Sequence, residues 1–192
     1  MGIFDSVKSA LGGGGGGSGR VVDMQKRFSL ERTAVTGTMA KFVAAKDHEN
    51  GGRIVGVKIL DPEKVEAFEG RFKGLKKPTE GEIALQMHHP NVVETYEVGV
   101  TTKGAPILIM EFIAGPSMQN IIVKRQEHHV AGKRMMLIRS MCKSLKYVHD
   151  LGFIHRDICP RNFILLPESK DVKLIDFGLT VPATPPFMAP GN

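Results

Sequence analysis

His155-Arg156-Asp157-Ile158-Cys159-Pro160-Arg161-Asn162 offers one carboxylate and, five residues on, one amide, on a segment that cannot stay helical. Pro160 lacks an N–H and biases Cys159 away from helical dihedrals. Fourteen residues after Asn162 (162 to 176) comes Asp176-Phe177-Gly178. Between them lie Phe163-Ile164-Leu165-Leu166, the polar Pro167-Glu168-Ser169-Lys170-Asp171, and Val172-Lys173-Leu174-Ile175. Two short apolar runs around a polar turn read as a hairpin, so Asn162 and Asp176 are expected side by side. Their oxygens suit Mg²⁺, which binds through one or two carboxylates plus substrate phosphates. Asp157 is then the candidate base, or orienter, for an attacking hydroxyl.

With both motifs in order and at this spacing, the chain resembles the eukaryotic-type (Hanks-type) protein kinases, and the wording around them is most similar to bacterial serine/threonine members. The resemblance implies an α+β bilobal fold: a five-stranded antiparallel small lobe and an incomplete, mostly helical large lobe. It implies ATP and Mg²⁺ as cofactors and a protein hydroxyl as acceptor; a cytoplasmic location is expected from the two cysteines, which give no disulfide framework. Residues 1–27 read as a tail with a Gly-rich linker, 28–113 as the small lobe and 114–192 as part of the large lobe. The chain stops fourteen residues after Gly178 (178 to 192), which reads as a C-terminal truncation. Met188-Ala189-Pro190-Gly191 resembles the family's A-P-E ending but sits too close to Asp176. The proline-rich stretch Leu179 to Asn192 is expected to be extended.

Site residues follow from the same resemblance. In Ile54-Val55-Gly56-Val57-Lys58-Ile59-Leu60, Val55, Val57 and Ile59 share one strand face and Lys58 the other. Lys58 matches the family's phosphate-contacting lysine. Its partner is counted nine residues before His89-Pro90-Asn91, which gives Glu80, with Glu82 as the alternative. Phe42, Gly56 and Ile164 are implied as the adenine sandwich, and Met110 as the guard at its rear. Glu111 and Ile113 supply backbone groups for the adenine edge. Asn162 and Asp176 are the implied metal ligands. Gly37 is the one glycine that survives in the phosphate loop Val35–Phe42. Cys159 replaces the lysine usual in serine/threonine kinases, and Arg161 is similar to the tyrosine-kinase arrangement, so hydroxyl specificity stays open. Cys159, between two arginines, is expected to have a lowered thiol pKa and to be a bystander. A pseudokinase or nucleotide-binding interaction module, and a small-molecule phosphotransferase, are the alternatives.

The 192 residues are 42 % hydrophobic and 24 % charged, an ordinary globular balance, with a formal charge of +6. Basic residues are scattered without a run of five, so no nucleic-acid arm is read. Two cysteines give no disulfide framework. No apolar run has the length of a membrane span. Ile3, Phe4, Val7, Ala10 and Leu11 are at helical spacing ahead of Gly12–Gly19, which reads as a docking segment on a flexible linker; Met1–Ser6 also fits the myristoylation pattern. Gly132 to Asp150 reads as a helix with Leu137/Ile138, Met141, Leu145 and Val148 inward, and with Met135, Met136 and Met141 as core filling. His88 and His89 read as structural, because adjacent residues on a helix do not face one another. Oligomeric state is not legible.

Overall fold

The alternation at Val55, Val57 and Ile59 is that of a strand with one face in a core, and Arg53–Leu60 is that strand in the computed structural model. Residues 20–31, 35–36, 40–167 and 171–188 are described. The N-terminal segment, the phosphate loop with Gly37, and residues 189–192 lie outside them. The chain divides into two compact units, Met1–Lys76 with Thr95–Phe112, and Lys77–Glu94 with Ile113–Asn192. Residues 77–94, read from sequence as small lobe, thus group with the second unit.

The first unit contains β1 (Arg20–Val22), α1 (Met24–Arg27), β2 (Phe28–Leu30), β3 (Val35–Thr36), β4 (Ala40–Asp47), β5 (Arg53–Leu60), α2 (Pro62–Glu69), β6 (Thr95–Thr101) and β7 (Pro106–Glu111). The sheet runs β1-β6-β7-β5-β4-β2, with β3 also on β4. The five expected antiparallel strands are present, with Phe28–Leu30 and Val35–Thr36 of the first both paired to β4. One face of the sheet buries Val43, Ala45, Val55, Val57, Ile107 and Ile109 with Val22 and Phe28. α2 begins as its sequence dictates: Asp61 accepts from the N–H groups of Glu63 and Lys64, and Pro62 stands where no N–H is needed. It stops at Glu69 and continues into a short 3₁₀ turn, Gly70–Phe72.

The reading of residues 1–27 as a tail is corrected here, because Arg20–Val22 is a strand of the sheet and Arg27, at the end of α1, bonds to two of its strands. β1 pairs in parallel with β6. A three-residue strand shows no period to a sequence reader. Gly99 of β6 admits it: a Cβ there would lie 2.7 Å from the Arg20 carbonyl oxygen. Arg27 is only 2 % exposed and its guanidinium donates to Asp47 Oδ1 and Oδ2 at 3.0 and 2.9 Å and to Glu97 Oε1 and Oε2 at 3.0 and 2.7 Å. Arg20 pairs with Glu49 and Glu97 around the same cluster. Burial pushes the Asp47 carboxyl up, but hydrogen bonds from Arg27 and Asn50 outweigh it and hold it below the ordinary range. Stability from Asp47 is therefore complete above the unfolded carboxyl pKa of about 3.9 and is lost as pH falls below it.

The second unit contains α3 (Glu80–Ala84), α4 (Met118–Val123), α5 (Arg134–Asp150), β8 (Phe153–Ile154), β9 (Phe163–Leu165), β10 (Val172–Leu174), β11 (Val181–Pro182) and α6 (Pro185–Met188). The helix that carries Glu80 and Glu82 is only five residues long. Leu85–Gln86 already turn, and His89-Pro90-Asn91 leaves the helix to meet β10. β9 and β10 form the expected hairpin, with Leu165 opposite Val172 and Phe163 opposite Leu174. β11 pairs with β8, and Pro185–Met188 is a helical turn where sequence suggested only extended chain. Two prolines at the start of a helix lose no hydrogen bond, since the first N–H groups have no partner.

α5 turns a different face inward than its apolar residues suggest. Leu137 and Val148 are buried as expected, but Ile138 is 51 % and Met135 79 % exposed, and Met136 is exposed too. Ser140 and Ser144 are buried instead. Small side chains let the helix approach β10, on which it packs, and the Ser144 hydroxyl donates to the Met141 carbonyl at 2.8 Å. The methionines at 135 and 136 are thus not core filling.

Two changes test these packings. Arg27→Ala leaves Asp47 buried without its counter-charge, and should cost about 3–5 kcal/mol in urea unfolding. An unchanged midpoint would refute the role given to the cluster. Gly115→Ala drives a Cβ into the Leu165 carbonyl oxygen. Backbone cannot yield as a side chain can, so a loss of at least about 2 kcal/mol is expected by the same measurement.

Candidate active site

Two motifs meet through the hairpin. The Ile175 N–H donates to the Asn162 carbonyl at 2.9 Å, so the residue before Asp176 is tied to the residue that ends the first motif. The Asn162 amide nitrogen donates to the Asp157 carbonyl and to Asp157 Oδ2, both at 2.8 Å. Asn162 is buried, and the turn Pro160–Asn162 that carries it is the break in helix expected from Pro160. Asp157, Asn162 and the start of Asp176-Phe177-Gly178 are therefore one connected arrangement.

His155 builds the floor. It is 1 % exposed, its Nε2 lies 3.3 Å from the Ile175 carbonyl, and its ring stacks edge-on against Phe177 at 5.4 Å. The Asp157 N–H donates back to His155 Nδ1 at 3.3 Å. Arg156 and Asp176 hold φ of 66° and 67°. Left-handed backbone is uncommon for residues other than glycine, and it clusters where surrounding structure holds functional groups in place. Both residues flank the chemistry: Arg156 precedes Asp157, and Asp176 is itself the second acid. Asp176 is exposed, and its Oδ1 accepts from the Gly178 N–H at 3.1 Å.

Arg161 caps the carboxylate of Asp157. One guanidinium nitrogen, Nη2, lies 2.8 Å from each Asp157 oxygen. Burial alone pushes the Asp157 carboxyl up; hydrogen bonds from Arg161 and Asn162 reverse this and hold it below the usual range. The thiol of Cys159 lies at hydrogen-bond distance from Asp157, 3.6 Å from Oδ1. The expectation of a lowered thiol pKa is corrected: burial first, and then the Asp157 charge, push Cys159 up. The nearby arginine is spent on the carboxylate, so the thiol faces an anion.

The glutamates separate by their local duties. Glu82 Oε2 accepts from Thr79 N–H and Oγ1 at 2.7 and 3.0 Å, while Thr79 Oγ1 accepts from the Glu82 N–H, a complete capping box. Glu80 instead reaches the second motif: its Oε2 is 3.3 Å from where a Cβ on Gly178 would sit. Thr79 followed three residues on by Glu82 is a signal that sequence carries and that distinguishes the two. Asn91 was singled out only as part of a counting motif, yet it has a structural role. Its side chain donates to the Val172 carbonyl at 2.9 Å, and its own carbonyl accepts from Leu174. His89 and Tyr147 stack at 4.9 Å, and the described residues hold no cluster of metal-ligating side chains around His88 and His89.

The remaining candidates lie on other elements. Lys58, Gly56 and Phe42 share one face of the first unit's sheet with Leu108 and Met110, since Phe42 pairs with Lys58, Lys58 with Leu108, and Gly56 with Met110. Glu111 ends β7 in the same unit, opposite Val55. Ile113 and Ile164 belong to the second unit, where Ile164 is half-buried in β9 and bridges Ser117. Glu80, Asp157, Arg161, Asn162 and Asp176 are in the second unit as well.

Asn162 and Asp176 offer hard oxygen donors, and no third acidic or imidazole ligand joins them in a metal-holding group among the described residues. Such a short protein set fits an ion that completes its shell with phosphate oxygens and water, as Mg²⁺ does.

Thiol reactivity checks the electrostatics. Cys142 is exposed and Cys159 is not. With iodoacetamide at pH 7.5, Cys142 should be alkylated first. Cys159 should react appreciably only above the ordinary thiol pKa of about 8.5. Faster labelling of Cys159 than of Cys142, read by mass spectrometry, would contradict the raised pKa.

A family model described as protein kinase domain matches residues 28–186. The chain is 32 % identical to CBL-interacting serine/threonine-protein kinase 5 of Arabidopsis thaliana over 80 % of its own length and 33 % of that protein's. It is 32 % identical to the hormonally up-regulated neu tumor-associated kinase homolog of Xenopus tropicalis, over 80 % and 21 %. Calcium/calmodulin-dependent protein kinase type 1 of Macrobrachium nipponense is 28 % identical over 90 % and 51 %. The chain therefore spans between a fifth and a half of the length of these relatives.

Proposed function

Because this chain belongs to the protein kinase family, we propose that it takes part in transfer of the ATP γ-phosphate to a protein hydroxyl, with serine and threonine as acceptors. The observation that carries the reading is the hydrogen-bonded triad of Asp157, Asn162 and the backbone of Ile175, which brings an acid, an amide and a second acid into one arrangement. Asp157 orients the acceptor hydroxyl and takes its proton. Asn162 and Asp176 hold Mg²⁺, which when bound neutralises phosphate charge. Lys58 contacts the α- and β-phosphates, with Glu80 as its counter-charge, and Glu111 and Ile113 offer backbone groups to the base edge. Arg161 supplies positive charge where Cys159 replaces the usual lysine. The likeness of the motif wording to bacterial members is part of this proposal; the relatives above are plant and animal kinases.

A second reading, a nucleotide-binding module that acts by association, is favoured by one observation. Both oxygens of Asp157 already accept N–H donors, so the acid is held rather than presented.

Adding Mg·ATP should raise the thermal midpoint of the chain, and Asp176→Ala should remove that rise. Asp157→Ala should keep the rise and lower phosphate transfer to a protein acceptor by about 10²–10⁴-fold, the usual worth of a positioned base. A rise without any transfer in the unsubstituted chain selects the association module. No rise at all overturns both readings.

A further inference from the structure

Charge is spread unevenly along the chain. Residues 118–149 hold seven Lys or Arg and a single acid, Glu127. All other residues together hold 19 basic and 19 acidic side chains, so this one stretch carries the whole formal charge of +6. No run of basic residues marks it in the sequence. The fold draws it together within the second unit, as α4, the 3₁₀ turn Glu127–His129 and α5. Short-range backbone bonds hold the connection: the Gln126 N–H donates to the Ile121 carbonyl, Val130 to Glu127, Lys133 to Val130 and Leu137 to Lys133.

The same stretch exposes large apolar side chains. Ile122 is 58 % and Val123 73 % exposed at the end of α4, and Met135 and Ile138 of α5 are both more than half exposed. On α5 the buried stripe is Leu137, Ser140, Ser144 and Val148. Met135, Ile138, Arg139 and Cys142 recur at intervals of three and four on the side away from it, and all four are exposed. Lys146, on that side too, pairs with Asp150, whereas Lys124, Arg125, Arg134 and Arg139 form no ion pair among the described residues.

Cations without a counter-charge, set among protruding apolar side chains, match a surface that rests on an anionic lipid layer. A helical peptide partner would need a groove, and side chains more than half exposed stand out from a surface. A nucleic-acid backbone would engage the cations and leave Val123 and Met135 in water. Stacked bases would need aromatic rings, and no Phe, Tyr or Trp is exposed in this stretch.

We infer that the exposed side chains of residues 122–146 form a membrane-association surface that docks on the anionic phospholipid headgroups of a bilayer. The cations are drawn to the lipid charge, and Ile122, Val123, Met135 and Ile138 enter the boundary between headgroups and acyl chains. Among the described residues no helix is long and apolar enough to cross a membrane, so the contact is with its surface.

Sedimentation of the whole chain with lipid vesicles tests this. Vesicles of equal parts phosphatidylserine and phosphatidylcholine should carry the chain down at low salt, and vesicles of phosphatidylcholine alone should not. Added salt should release it, because exposed charges are screened. Lys124→Ala with Arg134→Ala should weaken binding by about 25-fold, each basic residue at a lipid surface contributing about fivefold. Val123→Ser with Met135→Ser should weaken it by about fivefold or more, because apolar area is buried at the interface. All four positions are exposed, so the thermal midpoint without vesicles should stay where it is. If a variant does melt early, the comparison of the two vesicle types, which needs no substitution, decides. Equal sedimentation with both vesicle types, or none with either, overturns the inference. Unchanged vesicle binding by Val123→Ser with Met135→Ser overturns it as well, and tighter binding of the original chain to duplex DNA than to vesicles would then identify a polyanion as the ligand.

Discussion

Both edges of the three-residue strand Val172–Leu174 are hydrogen-bonded. On one side it pairs with Phe163–Leu165. On the other, Leu174 donates to the Asn91 carbonyl and accepts from the Val93 N–H. Asn91 adds a side-chain bond to Val172, and α5 packs against the same strand. Val172 and Leu174 are fully buried. Buried backbone groups must be paired, so each of these segments is held in register by groups that have no other outlet. Asn162 immediately precedes the paired strand and Asp176 follows Val172–Leu174 by two residues. Their meeting follows from the paired strand, through the Ile175 N–H on the Asn162 carbonyl.

The first unit depends on a different constraint. β1 and β2 are the two ends of its sheet order, and Arg27 joins strands from both halves by bonding Asp47 of β4 and Glu97 of β6. A guanidinium presents its donors in a planar fork, which suits two carboxylates at once. Removing one partner from such a buried group costs far more than the net worth of the pair. The opposite face of the same sheet is organised by volume, with Phe42 filling the room left at Gly56. Charge closes one side of the sheet and packing shapes the other.

In the second unit the site is electrostatically crowded. Arg161, Asn162 and the Cys159 thiol all address Asp157, and Asp176 adds to the charge that Arg161 feels. Cys159 ends with a raised pKa in spite of its arginine neighbours because the arginine and the thiol share one anion. Proximity in sequence to positive charge did not decide that outcome; the direction of a single side chain did. The same holds for Glu80 and Glu82, two residues apart in sequence, one spent on capping its own helix and the other directed toward Gly178.

Local chemistry alone determined a good deal. Pro160 breaks the chain before Asn162, the two apolar runs around a polar turn make the hairpin, Asp61-Pro62 starts α2, and the strand periods place Lys58 away from the core, because each depends on residues close together in sequence. Tertiary structure decided the rest. β1 is too short to show a period and exists because Gly99 admits it and Arg27 anchors the turn that follows. α5 presents serines inward because β10 comes close, a fact no apolar count along the helix contains. The partner of each charged group, and so the state of Asp157 and Cys159, depends on side chains meeting in space, and one sequence permits several such pairings until the strands are laid down.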